Sequence, residues 1–276
     1  MSFPLLFLIL AAAILPAHSQ NWIAEGNRAL DSGRPREAIT LLRSAISEAS
    51  GGVLPLQISL ATAYFDAGEY RLAEDVLKHA EKPTSGTVAH AELLNAWGGL
   101  HLVQSRLTEA ERELSEALRI IRQQPERQDL LPVVLNNLSG VETRMGRYAE
   151  GLNHGLEAVR LWQETLSPNH PDLIKGRGSL ATIQYLKGRF QEAHELMKTA
   201  IGSAEITYGA EDRTVADMLI SDALVLDKLK RKKEAKAARQ RAQQIRAGYA
   251  PATPDGAMWN VKEAILPDSR VALLTK

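Results

Sequence analysis

The chain has 276 residues, a length that allows one or two domains, and its 45% hydrophobic and 24% charged residues are typical of a globular protein. Lysine plus arginine and aspartate plus glutamate both number 33, so no bulk charge favours nucleic acid or a membrane surface as the partner. The absence of cysteine excludes disulfides, thiol chemistry, cysteine-ligated zinc and a cysteine-linked lipid anchor.

The chain opens with an apolar run from Phe3 to Pro16, which is shorter than the ~20 residues of a membrane-spanning helix. Such a run followed by the small residues Ala17 and Ser19 is typical of a secretory signal peptide. We therefore predict a signal peptide over 1–19, cleavage near Ser19, and export to the periplasm or the cell exterior. Because no lysine or arginine precedes the run, an uncleaved N-terminal membrane anchor is the alternative.

An internal repeat occupies most of the remaining chain. Its six copies are GRPREAITLLRSAI (33–46), GEYRLAEDVLKHAE (68–81), SRLTEAERELSEAL (105–118), GRYAEGLNHGLEAV (146–159), GRFQEAHELMKTAI (188–201) and KRKKEAKAARQRAQ (230–243). Five residues after each start stands a small residue: Ala38, Ala73, Ala110, Gly151, Ala193 and Ala235. Twelve residues after each start stands alanine: Ala45, Ala80, Ala117, Ala158, Ala200 and Ala242.

The segment before each copy is equally regular. A small residue lies seven positions before the turn, at Gly26, Ala61, Gly98, Ser139, Ala181 and Ala223. Apolar residues recur around it at helical spacing, as Leu135, Leu138 and Val141 do. Each unit is therefore predicted to be a helix, a tight turn and a second helix, with small residues where the two helices approach closely.

This pattern resembles the tetratricopeptide repeat, which has a small residue at position 8, glycine at 15, an aromatic residue at 17, and alanine at 20 and 27. Tyr70, Tyr148 and Phe190 stand at position 17, whereas Pro35 replaces the aromatic residue in the first unit. The sixth unit lacks the turn glycine and has Lys232 there. The resemblance implies an all-α fold, a right-handed superhelical solenoid of six helix–turn–helix repeats.

We expect the units at about 20–52, 54–86, 91–127, 132–170, 174–212 and 216–247, followed by a tail over 248–276. The last three units resemble the 42-residue repeats of kinesin light chains. In that family a loop reading GxxHPD precedes the next first helix, and His170, Pro171 and Asp172 fit that place. The same tripeptide marks the J domains that stimulate Hsp70 chaperones, but here the repeat already accounts for these residues. We therefore predict a helix start, which Pro171 favours and Asp172 supports electrostatically.

The last predicted helix is strongly basic, with nine lysines and arginines between Lys228 and Arg246. We expect a solvated capping face on the terminal unit. The alternative is contact with an anionic partner such as phospholipid head groups. The tail is predicted to pack back on the solenoid or to add a short strand.

Two patterns resemble catalytic or ligand sites and are interpreted as structural. His194 and Glu195 nearly match H-E-x-x-H, but Lys198 replaces the second histidine, so we expect exposed residues on a second helix. The G-x-G-x-x-A letters from Gly176 to Ala181 lie inside a predicted helix with no strand before it, so the glycines are expected to permit close helix packing. We therefore predict no catalytic residue, no metal and no cofactor.

The resemblance implies that the first helices line a concave groove in which partner segments lie. The candidate binding residues are Asn27, Thr62, Asn95, Asn136, Asn137, Thr143, Arg144, Lys175, Thr182 and Tyr185. Asn136 and Asn137 belong to an LNNL motif found in kinesin light chain repeats, and side-chain amides can both donate to and accept from a peptide backbone. Arg144 and Lys175 suit an acidic partner side chain. The alternative is that these residues are solvated and have no dedicated partner.

The sequence thus indicates a non-catalytic scaffold that binds a protein or peptide segment in its groove and does not bind nucleic acid. A membrane-surface adaptor using the basic C-terminal helix is the alternative. A metal-dependent enzyme or enzyme accessory subunit is a more distant one.

Overall fold

The structure is a computed structural model that describes residues 17–49 and 52–248. The predicted signal segment up to residue 16 and the tail beyond Gly248 lie outside the described residues. The described part forms twelve α-helices and no strand. In chain order they are α1 Ala17–Asp31, α2 Pro35–Glu48, α3 Leu54–Asp66, α4 Tyr70–Lys78, α5 Val88–Val103, α6 Leu107–Ile121, α7 Leu131–Arg144, α8 Tyr148–Thr165, α9 Pro171–Leu186, α10 Phe190–Tyr208, α11 Arg213–Lys228 and α12 Lys232–Ala247. A 3₁₀ segment, Pro125–Leu130, precedes α7.

Successive helices form six pairs, from α1 with α2 to α11 with α12, and each pair packs on the next. This confirms the all-α solenoid of six helix–turn–helix units. None of the described helices is both long enough and apolar enough to cross a bilayer.

The same backbone turn joins the two helices of every pair. In the first unit the Gly33 amide donates to the Leu30 carbonyl and the Arg34 amide to the Ala29 carbonyl, both at 2.8 Å. This is the Schellman arrangement, in which a residue with positive φ ends the helix. That residue is Gly33, Gly68, Ser105, Gly146, Gly188 or Lys230. In the sixth unit it is thus Lys230 and not Lys232, because Lys232 is already the first residue of α12.

Small residues let the helices of a unit approach closely, as predicted. A Cβ added to Gly98 of α5 would lie 2.5 Å from Leu114 Cγ of α6. One added to Gly176 of α9 would lie 2.8 Å from Val159 Cγ2 of α8. Gly176, in the G-x-G-x-x-A sequence of α9, therefore allows close packing between neighbouring units.

One helix boundary agrees with the sequence prediction and another does not. Helix α9 begins at Pro171, and the Nδ1 of His170 accepts the Asp172 amide at 3.2 Å, which confirms the predicted helix start. Helix α4 ends at Lys78, so Ala80 lies beyond it, contrary to the repeat pattern. Pro83, in the loop that follows, prevents the helix from extending that far.

Candidate protein-binding surface

An ion pair joins two helices that are far apart along the chain. Lys175, in the second turn of α9, donates from Nζ to Asp66 Oδ1 at the end of α3, at 2.8 Å. The two residues are separated by 109 positions, and both units from α5 to α8 lie between them. The array of first helices is therefore curved so that α3 meets α9, with α5 and α7 on the inner, concave side of the curve.

Two further contacts connect the first unit with the fifth. The Tyr208 ring at the end of α10 lies against the first turn, where a Cβ added to Gly33 would be 2.1 Å from Cε1. The His170 Nε2 is 4.0 Å from Asp31 Oδ1. We call this group the clasp: Asp31, Asp66, His170, Lys175 and Tyr208.

The centre of the clasp is largely shielded from solvent. The side chains of Lys175 and Asp66 are 22% and 15% exposed. Burial opposes the charge on Lys175, but the carboxylates of Asp66 and Asp172 outweigh it and raise the lysine pKa. Burial raises the pKa of Tyr208 to about 12, so its phenol is protonated at neutral pH. The clasp is thus a charged pair beside a neutral aromatic ring.

Side-chain amides lie side by side on α5 and α7. Asn137 Nδ2 donates to Asn95 Oδ1 at 2.9 Å, which links the third unit to the fourth. The neighbouring Asn136 is half-buried, and its Oδ1 accepts no hydrogen bond from any described residue. We call Asn95, Asn136 and Asn137 the amide row.

Thr143 faces its own unit instead of the groove. It is 7% exposed, and its hydroxyl donates to the Ser139 carbonyl at 2.7 Å. A Cβ added to Gly151 of α8 would lie 2.7 Å from Thr143 Oγ1, so this threonine packs between α7 and α8. Its assignment to the groove is thereby corrected.

The two cations assigned to an acidic partner already have acceptors within the chain. The guanidinium of Arg144 donates to the Leu102 carbonyl and, at 2.7 Å, to Ser105 Oγ, so it caps the end of α5. Lys175 belongs to the clasp. An acidic partner side chain would have to displace these contacts.

The other predicted groove residues lie along the same row of first helices but apart from the amide row. Asn27 is half-buried on α1, and Thr62 is exposed on α3, where its hydroxyl donates to the Ile58 carbonyl at 3.0 Å. On α9 the Thr182 hydroxyl donates to the Gly178 carbonyl at 3.1 Å. The Tyr185 ring meets Phe190 edge-on, with centroids 5.4 Å apart.

The histidine of the near-zinc motif is buried, not exposed as the sequence suggested. His194 is 7% exposed, and its Nδ1 lies 2.7 Å from Asp222 Oδ1 of the next unit. The pair ties α10 to α11. No group of three or more His, Cys, Asp or Glu suited to a metal ion occurs among the residues that the structure describes.

Comparisons with known proteins agree with this architecture. Residues 130–206, the fourth unit and most of the fifth, match the tetratricopeptide repeat family. The solved structure of BtubC (BKLC) from P. vanneervenii superposes with a TM-score of 0.57 at 17% identity, covering 88% of this chain and 98% of that one. A putative kinesin light chain with nearly identical TPR-like repeats from Podosopora anserina gives 0.51 at 19% identity, covering 72% and 97%.

A third similar structure is a Rap protein complexed with competence and sporulation factor. It has a TM-score of 0.59 at 16% identity, and the match covers 83% of this chain and 75% of that one. Among curated proteins, none matches this sequence. The fold is accordingly that of tetratricopeptide-repeat solenoids.

Proposed function

We propose that the protein is a non-catalytic scaffold that binds an extended protein segment on the concave face of its third to fifth units. The amide row carries this proposal. Asn95 and Asn137 present donors and acceptors on the inner face, and Asn136 has an acceptor that no described residue satisfies. This oxygen is itself buried, so we propose that the Asn136 amide turns outward when a segment binds. A partner N–H would then recover the cost of an unsatisfied buried acceptor, which is about 1–3 kcal/mol.

The chemistry of the amide row suits main-chain recognition. An asparagine side chain offers one acceptor oxygen and two N–H donors, as a peptide group offers one of each. The Asn137–Asn95 hydrogen bond can therefore be exchanged for bonds to a partner's backbone without leaving either amide unpaired. Such contacts tolerate many partner sequences, and selectivity comes from the flanking side chains.

The clasp controls access to this face. Because Lys175 and Asp66 join α9 to α3, the inner side of α5 and α7 lies within a closed curve. We propose that the ion pair opens when a segment binds. The apparent affinity is then the intrinsic affinity reduced by the fraction of molecules with an open clasp.

A protein or peptide partner is supported by the class of fold. The similar Rap structure holds a named factor, and solenoids of this type present extended concave surfaces to their ligands. From the N-terminal segment we also propose export, with the signal peptide removed near Ser19. Mass spectrometry of the chain recovered from an envelope fraction tests this, since cleavage gives a chain that begins at Gln20.

A selection from displayed peptides tests the binding face. We would compare the wild type with the triple variant Asn95→Ala, Asn136→Ala, Asn137→Ala, leaving Arg144 intact because it caps α5. The matched control removes three exposed amides elsewhere, as Asn153→Ala, Gln163→Ala, Gln244→Ala. We expect peptides enriched by the wild type and by the control to lose binding to the amide-row variant. Equal binding by all three proteins would refute the proposal.

A further inference from the structure

Lysine and arginine have different roles around the last helix. Every arginine there forms an ion pair: Arg231 with Glu234, Arg239 with Asp227, Arg241 with Glu205, and Arg246 with Asp217. Three of these pairs fix α12 to its neighbours, because Asp227 and Asp217 belong to α11 and Glu205 to α10. The arginines therefore hold the terminal helix in place.

The lysines of the same region are left out of this network. We call them the lysine patch: Lys228, Lys230, Lys232, Lys233 and Lys236. All are exposed, and none forms an ion pair with a residue that the structure describes. The arginines are neutralised by their partners, so among the described residues no ion pair compensates the five positive charges of the patch, although the formal net charge of the chain is zero.

The lysines face away from the core. Helical geometry, at about 100° per residue, places Lys232, Lys233 and Lys236 within an arc of about 100°. The buried residues Ala235, Ala242 and Ile245 lie on the opposite side of α12. Lys230 in the turn and Lys228 at the end of α11 adjoin this arc, so the five ammonium groups share one end of the solenoid.

We propose that the lysine patch attaches the scaffold to anionic phospholipid at a bilayer surface. Lysine is a compact, mobile point charge suited to a surface of many head groups, whereas arginine favours fixed bidentate partners. Clusters of four to eight basic residues are typical of surfaces that bind an anionic leaflet, and the five lysines of the patch are within that range. Residues 228–246 contain no aromatic side chain, so the patch lacks the stacking platform of a single-stranded nucleic acid site.

Attachment through the patch leaves the proposed groove free. The patch lies on the sixth unit, whereas the amide row lies on the third and fourth. The lysine patch would therefore hold the scaffold at a membrane while the concave face binds its protein partner. This inference does not depend on the groove proposal, because each surface is tested by its own variants.

Co-sedimentation with vesicles of the chain from Gln20 to Lys276, the proposed exported form, tests the inference without the apolar run from Phe3 to Pro16. Phosphatidylcholine vesicles with and without phosphatidylglycerol are compared at low and high salt. Each lysine near an anionic surface contributes about fivefold to partitioning, so Lys232→Gln, Lys233→Gln, Lys236→Gln should lower the partition coefficient about 100-fold. The control Lys82→Gln, Lys187→Gln, Lys198→Gln removes the same charge away from the patch and should bind as the wild type does.

Binding that needs phosphatidylglycerol, falls with salt and is lost in the patch variant alone supports the inference. No binding to phosphatidylglycerol vesicles, or equal losses in both triple variants, overturns it. Equal binding to vesicles of phosphatidylcholine alone also overturns it, because attachment would then be apolar. Patch-dependent binding to polyglutamate but not to vesicles assigns the patch to an acidic protein instead.

Discussion

At the scale of single residues, a histidine beside a carboxylate recurs between the paired helices. His101 of α5 lies 2.7 Å from Glu113 of α6, and Glu142 of α7 lies 2.8 Å from His154 of α8. These are the same two places in successive units with the residue types exchanged. Sequence analysis did not find the pairs because neither residue type keeps its position in the repeat.

The pair in the fourth unit predicts a pH dependence of stability. The hydrogen bond to Glu142 raises the pKa of His154, so the folded state binds its proton more tightly than the unfolded chain does. The resulting stabilisation is fully present below the unfolded pKa of about 6.5 and is lost as the pH rises through the folded value. We expect the free energy of unfolding of the wild type to fall over that interval relative to His154→Gln.

Urea unfolding from pH 5.5 upward, in about half-unit steps, measures this difference. The exposed His79, whose ring lies 2.8 Å from the Asp75 carbonyl oxygen and pairs with no carboxylate of a described residue, provides the control His79→Gln. A stability difference between wild type and His154→Gln that does not change with pH would contradict the assignment.

At the scale of helices, the repeat pattern predicted where two helices approach closely. It did not predict which of these positions could accept a larger side chain. The pattern has alanine at the position of Gly151, yet an added Cβ would meet Thr143 Oγ1 at 2.7 Å and the Ser139 carbonyl oxygen at 2.9 Å. Alanine does not fit at position 151 because the buried Thr143 of α7 fills the space that the alanine methyl group occupies in other units. A pattern of single positions cannot show such a compensation.

Gly151→Ala is therefore expected to destabilise the protein by about 1–3 kcal/mol through overpacking. Gly202→Ala is the matched control, because Gly202 lies within α10 and no atom is within 4 Å of its added Cβ. That change should stabilise by about 0.5–1 kcal/mol, as alanine favours a helix over glycine. Thermal unfolding of both variants checks the two signs, and destabilisation of equal size in both would argue against close packing at Gly151.

The turns provide a second prediction at this scale. Lys230 has φ of 61°, a conformation that glycine adopts without strain. Lys230→Gly should stabilise by about 0.5–1 kcal/mol, whereas Lys198→Gly at an exposed position inside α10 should destabilise by about the same amount. Chemical unfolding of the two variants distinguishes strain in the turn from a general effect of glycine. A loss of stability in Lys230→Gly would show that the lysine is not strained.

At the scale of the whole molecule, the clasp is the feature that sequence analysis could not predict. Helix pairs, turns and small contact residues depend on neighbours within about 40 positions, and the repeat pattern carries that information. The meeting of Asp66 with Lys175 depends on the summed rotation of the units between them. The sequence predicted that Lys175 faces the groove, but nothing in the pattern fixes how strongly the solenoid curves or which residue Lys175 meets.

A double-mutant cycle measures the strength of the clasp. Lys175→Met leaves the Asp66 carboxylate shielded without its partner, and we expect a loss of about 1–3 kcal/mol. The further change Asp66→Asn should recover much of that loss, which gives a favourable coupling energy. Urea unfolding gives the energies, and X-ray scattering should show a larger radius of gyration for Lys175→Met. If the two changes in the free energy of unfolding were additive and the radius of gyration stayed the same, the ion pair would not be what holds α3 against α9.

Binding on the concave face is tested most directly by measuring the distance across the clasp with and without a selected peptide. Because the chain has no cysteine, Ser32→Cys and Ala210→Cys place spin labels only at two exposed sites beside Gly33 and Tyr208. We predict a short distance in the free protein and an increase of about 10 Å at saturation, the spacing that an extended chain needs between packed surfaces. A distance that stays unchanged while the peptide is bound would contradict binding on the concave face behind the clasp.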